Sequence, residues 1–358
     1  MCELARSAVA PGVSVGEIGW RGGISVTVAG VVASTPSQTG VIRSPTLEQV
    51  TTLSVVIPAT DRRPTLHAVV AAIEAAVPAP EELFVVDSPE YLSPAAARNL
   101  GARRARGDVV VFVDADVEVH EDAFRRIRSA FDRDPALTAI FGSYDDAPGA
   151  DGLISNFRNL LHHHVHQQGA GVATTFWAGL GAIRRDVFLD LGGFDEDRFL
   201  RASVEDIELG MRLHERRKRV VLDPEIQGKH LKRWTLSSMT KTDLLRRGVP
   251  WLRLVLERRS GSTALNLGWT HRIGAAASLL LITGLVRRKF WFAGGSLALL
   301  VALERRFYEL LFRRGGPLLI AVGVPLHIVH LLTSAAAVPI ALIAHLRANP
   351  EARKPRPP

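Results

Sequence analysis

The chain has 358 residues, 44 Lys and Arg against 36 Asp and Glu, and a single cysteine. That length accommodates one large domain or two ordinary ones. The lone Cys2 excludes a disulfide framework and a thiolate metal site, so any metal must be held by Asp, Glu or His. The basic balance, with a pI of about 10.2, suits nucleic acid, an anionic membrane surface or a phosphate-bearing ligand without choosing among them.

Residues 1–51 mix Gly, Ser, Thr, Val and Pro around one β-like run, ISVTVAGVVAS, with no sustained period. A poorly ordered leader is expected there, and Glu3 and Arg6 are followed by no apolar stretch of the length a secretory signal needs. From residue 53 the texture changes. LSVVIP (53–58), LFVVD (83–87) and VVVFV (109–113) read as strands. Between them TLHAVVAAIEAAV (65–77) and PAAARNLGARRA (94–105) read as helices, the second with Pro early in its first turn. This alternation predicts an α/β domain whose parallel sheet carries helices on both faces and binds ligands beyond the carboxyl ends of its strands.

The strand ends are equipped for such a ligand. The first runs into Pro58, Asp61 and Arg62, the second ends on Asp87, and the third stops on Asp114-Ala115-Asp116. Two carboxylates separated by a small residue suit a hard divalent cation that arrives with a diphosphate; the same pair would also end the strand or cap the helix that begins near Glu121. Arg62 or Arg98 would counter phosphate charge.

SVVIPATDRRPTL, VVDSPE, AAARNLGARRARGDVVVFVDAD, FWAGLGAIRRDVFLDLGGFDED, SVEDIELGMRL and KHLKRW follow one another in this order. As an ordered set they resemble a family 2 glycosyltransferase of the GT-A (Rossmann-like nucleotide-diphospho-sugar transferase) fold over about residues 52 to 250. The resemblance implies that Asp116 binds the Mg²⁺ or Mn²⁺ bridging the donor diphosphate, with Asp114 nearer the ribose. Asp61 and Asp87 resemble the acids that contact the nucleotide. Glu205 and Asp206 correspond to the family's Glu-Asp pair, Asp206 resembling the general base. Transfer of a sugar to a hydroxyl needs an electrophilic clamp on the leaving diphosphate and a base for the acceptor proton, which these groups can supply. Acidic residues in a helix's first turn are also favoured by the helix dipole alone.

His230 in KHLKRW is a candidate further metal ligand, or else a packed or surface histidine. HLKRW is similar to the Q-x-x-R-W of processive polysaccharide synthases, which places Arg233 and Trp234 near the donor; His230 in place of Gln argues against processive polymerisation. Within HHHVH only His162 and His166 share a helix face, so a polar face near the acceptor cleft is expected rather than a metal site. Gly179 and Gly181 would let backbone approach the sugar and Trp177 would stack on an acceptor, or all three pack the core.

After about residue 250 the chain becomes apolar. LLRRGVPWLRLVLERR (244–259) and ERRFYELLFRR have the composition of helices lying on a membrane surface. Residues 273–286, 290–303 and 317–346 give about three membrane segments, the first two a hairpin or a re-entrant pair and the last long enough to cross. Residues 351–358 read as a disordered tail. Nucleotide sugars are cytosolic, so the catalytic domain is expected on the cytoplasmic side of the plasma membrane. The whole reads as a membrane-anchored, metal-dependent, inverting glycosyltransferase with a nucleotide-diphospho-sugar donor and a lipid-linked or cell-envelope glycan acceptor, needing no nucleic acid. A non-catalytic nucleotide-sugar-binding scaffold or an export component is the alternative; the apolar segments lack Asp, Glu, Lys and Arg, which argues against a solute pathway.

Overall fold

The computed structural model describes residues 13–15, 28–31, 50–258 and 268–348. The chain opens with β1 (Val13–Val15) and β2 (Val28–Val31), then alternates: β3 (Leu53–Pro58), α1 (Leu66–Glu74), β4 (Glu82–Val86), α2 (Pro94–Arg104), β5 (Val109–Val113), β6 (Val117–Val119), α3 (Ala123–Arg133) and β7 (Leu137–Tyr144). Next come α4 (Leu153–Gln168), β8 (Gly171–Val172), β9 (Leu180–Arg184), α5 (Arg185–Asp190), α6 (Glu205–Glu215) and β10 (Arg219–His230). The remainder is helical: α7 (Leu236–Lys241), a π-helical turn (Thr242–Gly248), α8 (Val249–Arg258), α9 (Trp269–Val286), α10 (Phe290–Leu303) and α11 (Arg305–Ala348).

The early elements form where the sequence puts them, for local reasons. β3 and β5 are buried at every position, as expected for central strands covered on both faces. Ser93 caps α2 by accepting from the Ala96 N–H at 3.2 Å, and Pro94 occupies the first turn, where a missing N–H costs nothing. In the expected leader, β2 falls inside ISVTVAGVVAS and pairs antiparallel with both β1 and β4, so part of this region extends the sheet. The rest of that leader and the expected tail at 351–358 lie outside the described residues.

The sheet order is β1-β2-β4-β3-β5-β9-β7-β10-β6, with β8 beside β10. The expected parallel sheet is therefore corrected to a mixed one. β3 is parallel to β4 and β5, and β10 to β7, but β9 runs antiparallel between β5 and β7, and β6 antiparallel to β10. The cause is the route of the chain. After α4 it re-enters the sheet from the side where β5 and β7 leave it, so Leu180 at the start of β9 pairs with Val113 at the end of β5. That entry sets FWAG, residues 176–179, beside Asp114, whose N–H donates to the Gly179 carbonyl at 3.0 Å.

Three hydrophobic clusters make up the core of the described residues. The largest fills both faces of the sheet from Leu53 to Ile226. In the second, Phe157, Leu160 and Leu161 of α4 meet Phe307, Leu311 and Leu319 of α11. This corrects two expected surface helices. The ERRFYELLFRR stretch turns Phe307, Tyr308, Leu310 and Leu311 inward, and α8 inserts Trp251 and Leu254 against Val204 and Met211 beside α6. The helical path of α11 breaks at Gly316, whose φ of 63° suits glycine, and resumes at Pro317.

α9 and α11 are long and apolar enough to cross a membrane, whereas α10, at 14 residues, is too short. Only 28 % and 33 % of the most apolar windows of α9 and α11 are buried. Leu279, Leu280, Ile282, Leu285, Phe290, Trp291, Val338, Ile340 and Ile343 face outward, an apolar surface larger than isolated exposed side chains explain.

Candidate active site

The carboxyl ends of the strands bring the predicted acids to one end of the sheet. Asp116 is 4 % exposed, and its backbone is fixed on both sides. Its carbonyl accepts from the Leu231 N–H at 2.9 Å, and the Ala115 carbonyl accepts from the Thr65 hydroxyl at 2.6 Å. The carboxylate is met by the guanidinium of Arg63, which also donates to Asp61 at 2.5 Å. On its other side, His230 Nε2 lies 3.7 Å from Asp116 Oδ2.

His230 is held for that approach. Its Nδ1 lies 2.5 Å from Asn159 Oδ1 on α4, which as an acceptor selects the tautomer with the proton on Nδ1 and leaves the Nε2 lone pair facing Asp116. The ring stacks on Tyr144 at the end of β7, centroids 4.1 Å apart and planes 8° from parallel. Burial, reinforced by Lys232, holds its pKa well below the usual histidine value, so the imidazole is neutral. Asp116 and His230 thus offer an oxygen and a neutral nitrogen, and a cationic group already rests on the carboxylate. This donor pair fits Mg²⁺ or Mn²⁺, with the other coordination positions left to diphosphate oxygens and water. Among the described residues no three His, Cys, Asp or Glu side chains form a complete protein cage. Asp87 follows β4, and among the described residues its buried Oδ1 has no hydrogen-bond partner, a free acceptor at the carboxyl end of the sheet.

Behind this end, Arg98 ties the acids together. Buried on α2, it donates to Asp114 Oδ1 at 2.6 Å and to Glu205 Oε1 at 2.9 Å. Burial works against its charge, but Asp114 and Glu205 keep it firmly protonated. Asp206, next on α6, points elsewhere. It accepts from the Ala178 N–H at 3.2 Å and opens into a cavity of about 600 Å³. Burial, then the neighbouring Glu205, pushes its pKa up to about 6, against the pull of Arg98. A carboxylate poised near neutrality at a cavity wall is suited to take a proton. Glycine makes this placement possible, because a Cβ at Gly210 would lie 2.3 Å from the Phe176 backbone nitrogen. α6 therefore lies directly against the FWAG segment.

The cavity separates the sheet from the C-terminal helices. Trp177, His162, Arg158, Arg247 and Trp251 line it with Asp206 on one side, and α9 and α11 close the other.

Residues 68–192 match the model of the family described as Glycosyl transferase family 2. This segment is a family 2 glycosyltransferase domain. No curated protein matches the chain. Among solved structures, a mannosyltransferase from Pyrobaculum calidifontis in complex with GDP-Man and Mn²⁺ is similar at 16 % identity, with a TM-score of 0.48 over 83 % of this chain and 87 % of that one. GalNAc-T7 with UDP, GalNAc and Mn²⁺ is 16 % identical, with a TM-score of 0.37 over 58 % of this chain and 48 % of its own. A mycobacterial protein is 17 % identical, with a TM-score of 0.38 over 58 % and 74 %. The enzyme class and GT-A fold expected from the motifs stand for this transferase domain.

Several predicted site residues take other places in the structure. Arg62, with a side chain 74 % exposed, pairs with Glu90 on the surface, and Arg63 takes the position at Asp116. Arg98 is committed to two carboxylates rather than open to a phosphate, and Glu205 is its partner rather than a group facing the cavity. Pro58 is buried at the end of β3. Arg233 is exposed, while Trp234 is buried in the second cluster with Lys232 Nζ 4.2 Å above its ring. Gly179 and Gly181 make room for Trp177 itself: a Cβ at either would lie within 2.4 Å of its indole or carbonyl. The expected polar face of α4 is instead an aromatic wall, with the His162 ring 4.0 Å from His166 and 4.9 Å from Trp177. Sequence reasoning missed Arg63, Tyr144, Asn159 and Arg247. Only Arg63 carried a signal, its place beside Asp61 in DRRP.

Proposed function

We propose that the protein transfers a sugar from a nucleoside-diphosphate donor to a hydroxyl of a lipid-linked or membrane-proximal acceptor, by single displacement with inversion. The observation that carries this reading is Asp206, a carboxylate of raised pKa facing a cavity whose far wall is built from apolar helices. Asp61, Asp87 and Asp114 hold the nucleoside end. Asp116 and His230 would hold a Mg²⁺ or Mn²⁺ that stabilises charge on the leaving diphosphate. The acceptor oxygen bonds to the anomeric carbon as that carbon's bond to the diphosphate oxygen breaks. The acceptor proton passes to Asp206, and the nucleoside diphosphate leaves with the bonding electrons. Glu205 and Arg98 act as positioning residues that set the charge around Asp206.

Membrane association is supported by the outward apolar faces of α9 and α11 and by the arginines near their ends. A cytoplasmic catalytic side at the plasma membrane follows from the cytosolic supply of nucleotide sugars. The test is thermal unfolding of the detergent-solubilised chain with UDP-, GDP- and dTDP-sugars, each with Mn²⁺, Mg²⁺ or EDTA. A metal-dependent stabilisation by one donor is expected, abolished in Asp116→Ala. No stabilisation by any donor would overturn the donor site.

A further inference from the structure

Arg247 stands out among the cavity's cations. It sits on the π-helical turn, a distortion frequent at functional sites, and is half-buried in the cavity wall. Among the described residues its guanidinium has no hydrogen bond and no ion pair. Its neighbour Arg158, by contrast, donates to Asp243 at 2.7 Å, and Asp243 also meets His330 Nδ1 of α11 at 2.8 Å. That carboxylate is therefore already shared between two donors. The charge of Arg247 is felt at Asp206, where it favours the ionised carboxylate, and also at His230 and Asp243; its place in the cavity wall beside Asp206 is what sets it toward the acceptor side. Asp114 and Asp116 do not line this cavity. Two further buried nitrogens without partners, His162 Nδ1 and Trp251 Nε1, belong to residues of the same wall.

Opposite these groups the wall mixes His271 and Arg272 of α9 and His330 and Ser334 of α11 with apolar side chains. Ala276 and Leu279 of α9 and Ala335 and Val338 of α11 form its apolar part, and Leu279 and Val338 are each about half exposed. The cavity thus reaches the apolar exterior between α9 and α11. A partly buried guanidinium with no ion pair of its own offers charge-assisted hydrogen bonds to an anion, and an opening beside apolar side chains suits a hydrocarbon chain.

We propose that this cavity binds a phosphate-bearing amphiphile, its anionic head on Arg247, its hydroxyl end toward Asp206 and its chain leaving between α9 and α11. This deepens the reading of a membrane-proximal acceptor and rests on it. The ligand class follows from charge complementarity at Arg247 joined to the apolar exit.

The test is calorimetric titration of the full chain in maltoside micelles with dodecyl phosphate, dodecanol and inorganic phosphate. Saturable binding of dodecyl phosphate is expected, about tenfold or more tighter than either other probe. It should weaken about tenfold in Arg247→Gln, the size of one charge-assisted contact, and be largely retained in Arg247→Lys. Equal binding of dodecanol would remove the anion from the proposal, and equal binding of inorganic phosphate would remove the chain. Unchanged binding in Arg247→Gln would overturn it outright. Nucleotide stabilisation with Mn²⁺, measured on the same preparations, keeps the two readings apart. It should persist in Arg247→Gln; its loss there would assign Arg247 to the donor instead and sink the proposal. Its absence in the wild type, with lipid binding intact, would refute the transferase site alone.

Discussion

Replacing Asp206 with Asn should make the protein more stable at neutral pH and remove its turnover. The folded state holds this carboxyl at about 6 against a reference of 3.8, so ionising it inside the protein is unfavourable. A raised folded pKa contributes stability that is complete below the unfolded pKa and lost as pH rises through about 6. At pH 7.5 the wild type therefore carries a penalty of up to about 3 kcal/mol, at about 1.4 kcal/mol per pKa unit. Asn keeps the shape of the neutral acid without the charge. The stability difference should be near zero at pH 4, open between pH 4 and 6, and reach its full size above pH 7, a rise in Tm of several degrees. Thermal unfolding of both proteins across this range measures it directly. Transfer should meanwhile fall by about 10²–10⁴ with nucleotide stabilisation intact, the loss expected for a general base. A Tm difference independent of pH would refute the environment assigned to Asp206, and undiminished transfer would refute its role.

Other residues give separate readouts. Transfer should lose rate as pH falls through about 6, where Asp206 takes its proton; Glu205→Gln removes the nearest negative charge, so the acid limb of the pH–kcat/KM profile should move to lower pH. Asn159→Leu removes the acceptor that fixes the His230 tautomer, and about 10- to 100-fold more Mn²⁺ should be needed for half-maximal nucleotide stabilisation, with kcat recovered at saturating metal. Gly210→Ala would drive a methyl into the Phe176 backbone, which cannot rotate away; a loss of at least about 1–3 kcal/mol in unfolding free energy is expected.

The gathering of acids at the strand ends was legible in the sequence because its signal is local. A buried strand that stops on carboxylates announces itself in five residues, as VVVFV does before Asp114, and a strand end is where open α/β sheets place ligands. What sequence hid depends on distance along the chain. His230 looked like a lone histidine because its tautomer is set by Asn159, 71 residues away, and its ring is stacked on Tyr144. Arg63 rather than Arg62 meets Asp116 because the turn after β3 takes Arg62 through φ 48° and sends its side chain to Glu90, a change of direction no composition reveals. β9 was not read as a strand from the sequence, yet its antiparallel entry is what carries Trp177 and Ala178 to Asp206. Hydrophobic period likewise cannot say which partner an amphipathic helix meets. ERRFYELLFRR and α8 suit a membrane surface by composition, but α4 and α6 bury their apolar faces first.

α4 joins the chemistry to the apolar helices. Three consecutive side chains face three tasks: Phe157 packs on Phe307 of the α11 segment, Arg158 binds Asp243, and Asn159 orients His230. Asp243 in turn receives His330 from α11 and lies on the same turn as Arg247. A displacement of α11 would therefore reach Asp243 and Arg158 through buried charge-assisted contacts, and α4 carries the residue that sets the His230 tautomer. Such contacts stay closed in place because opening one leaves a charge buried without its partner, at a cost of several kcal/mol. The C-terminal helices thus supply part of the wall of the cavity beside Asp206 and a brace for His230.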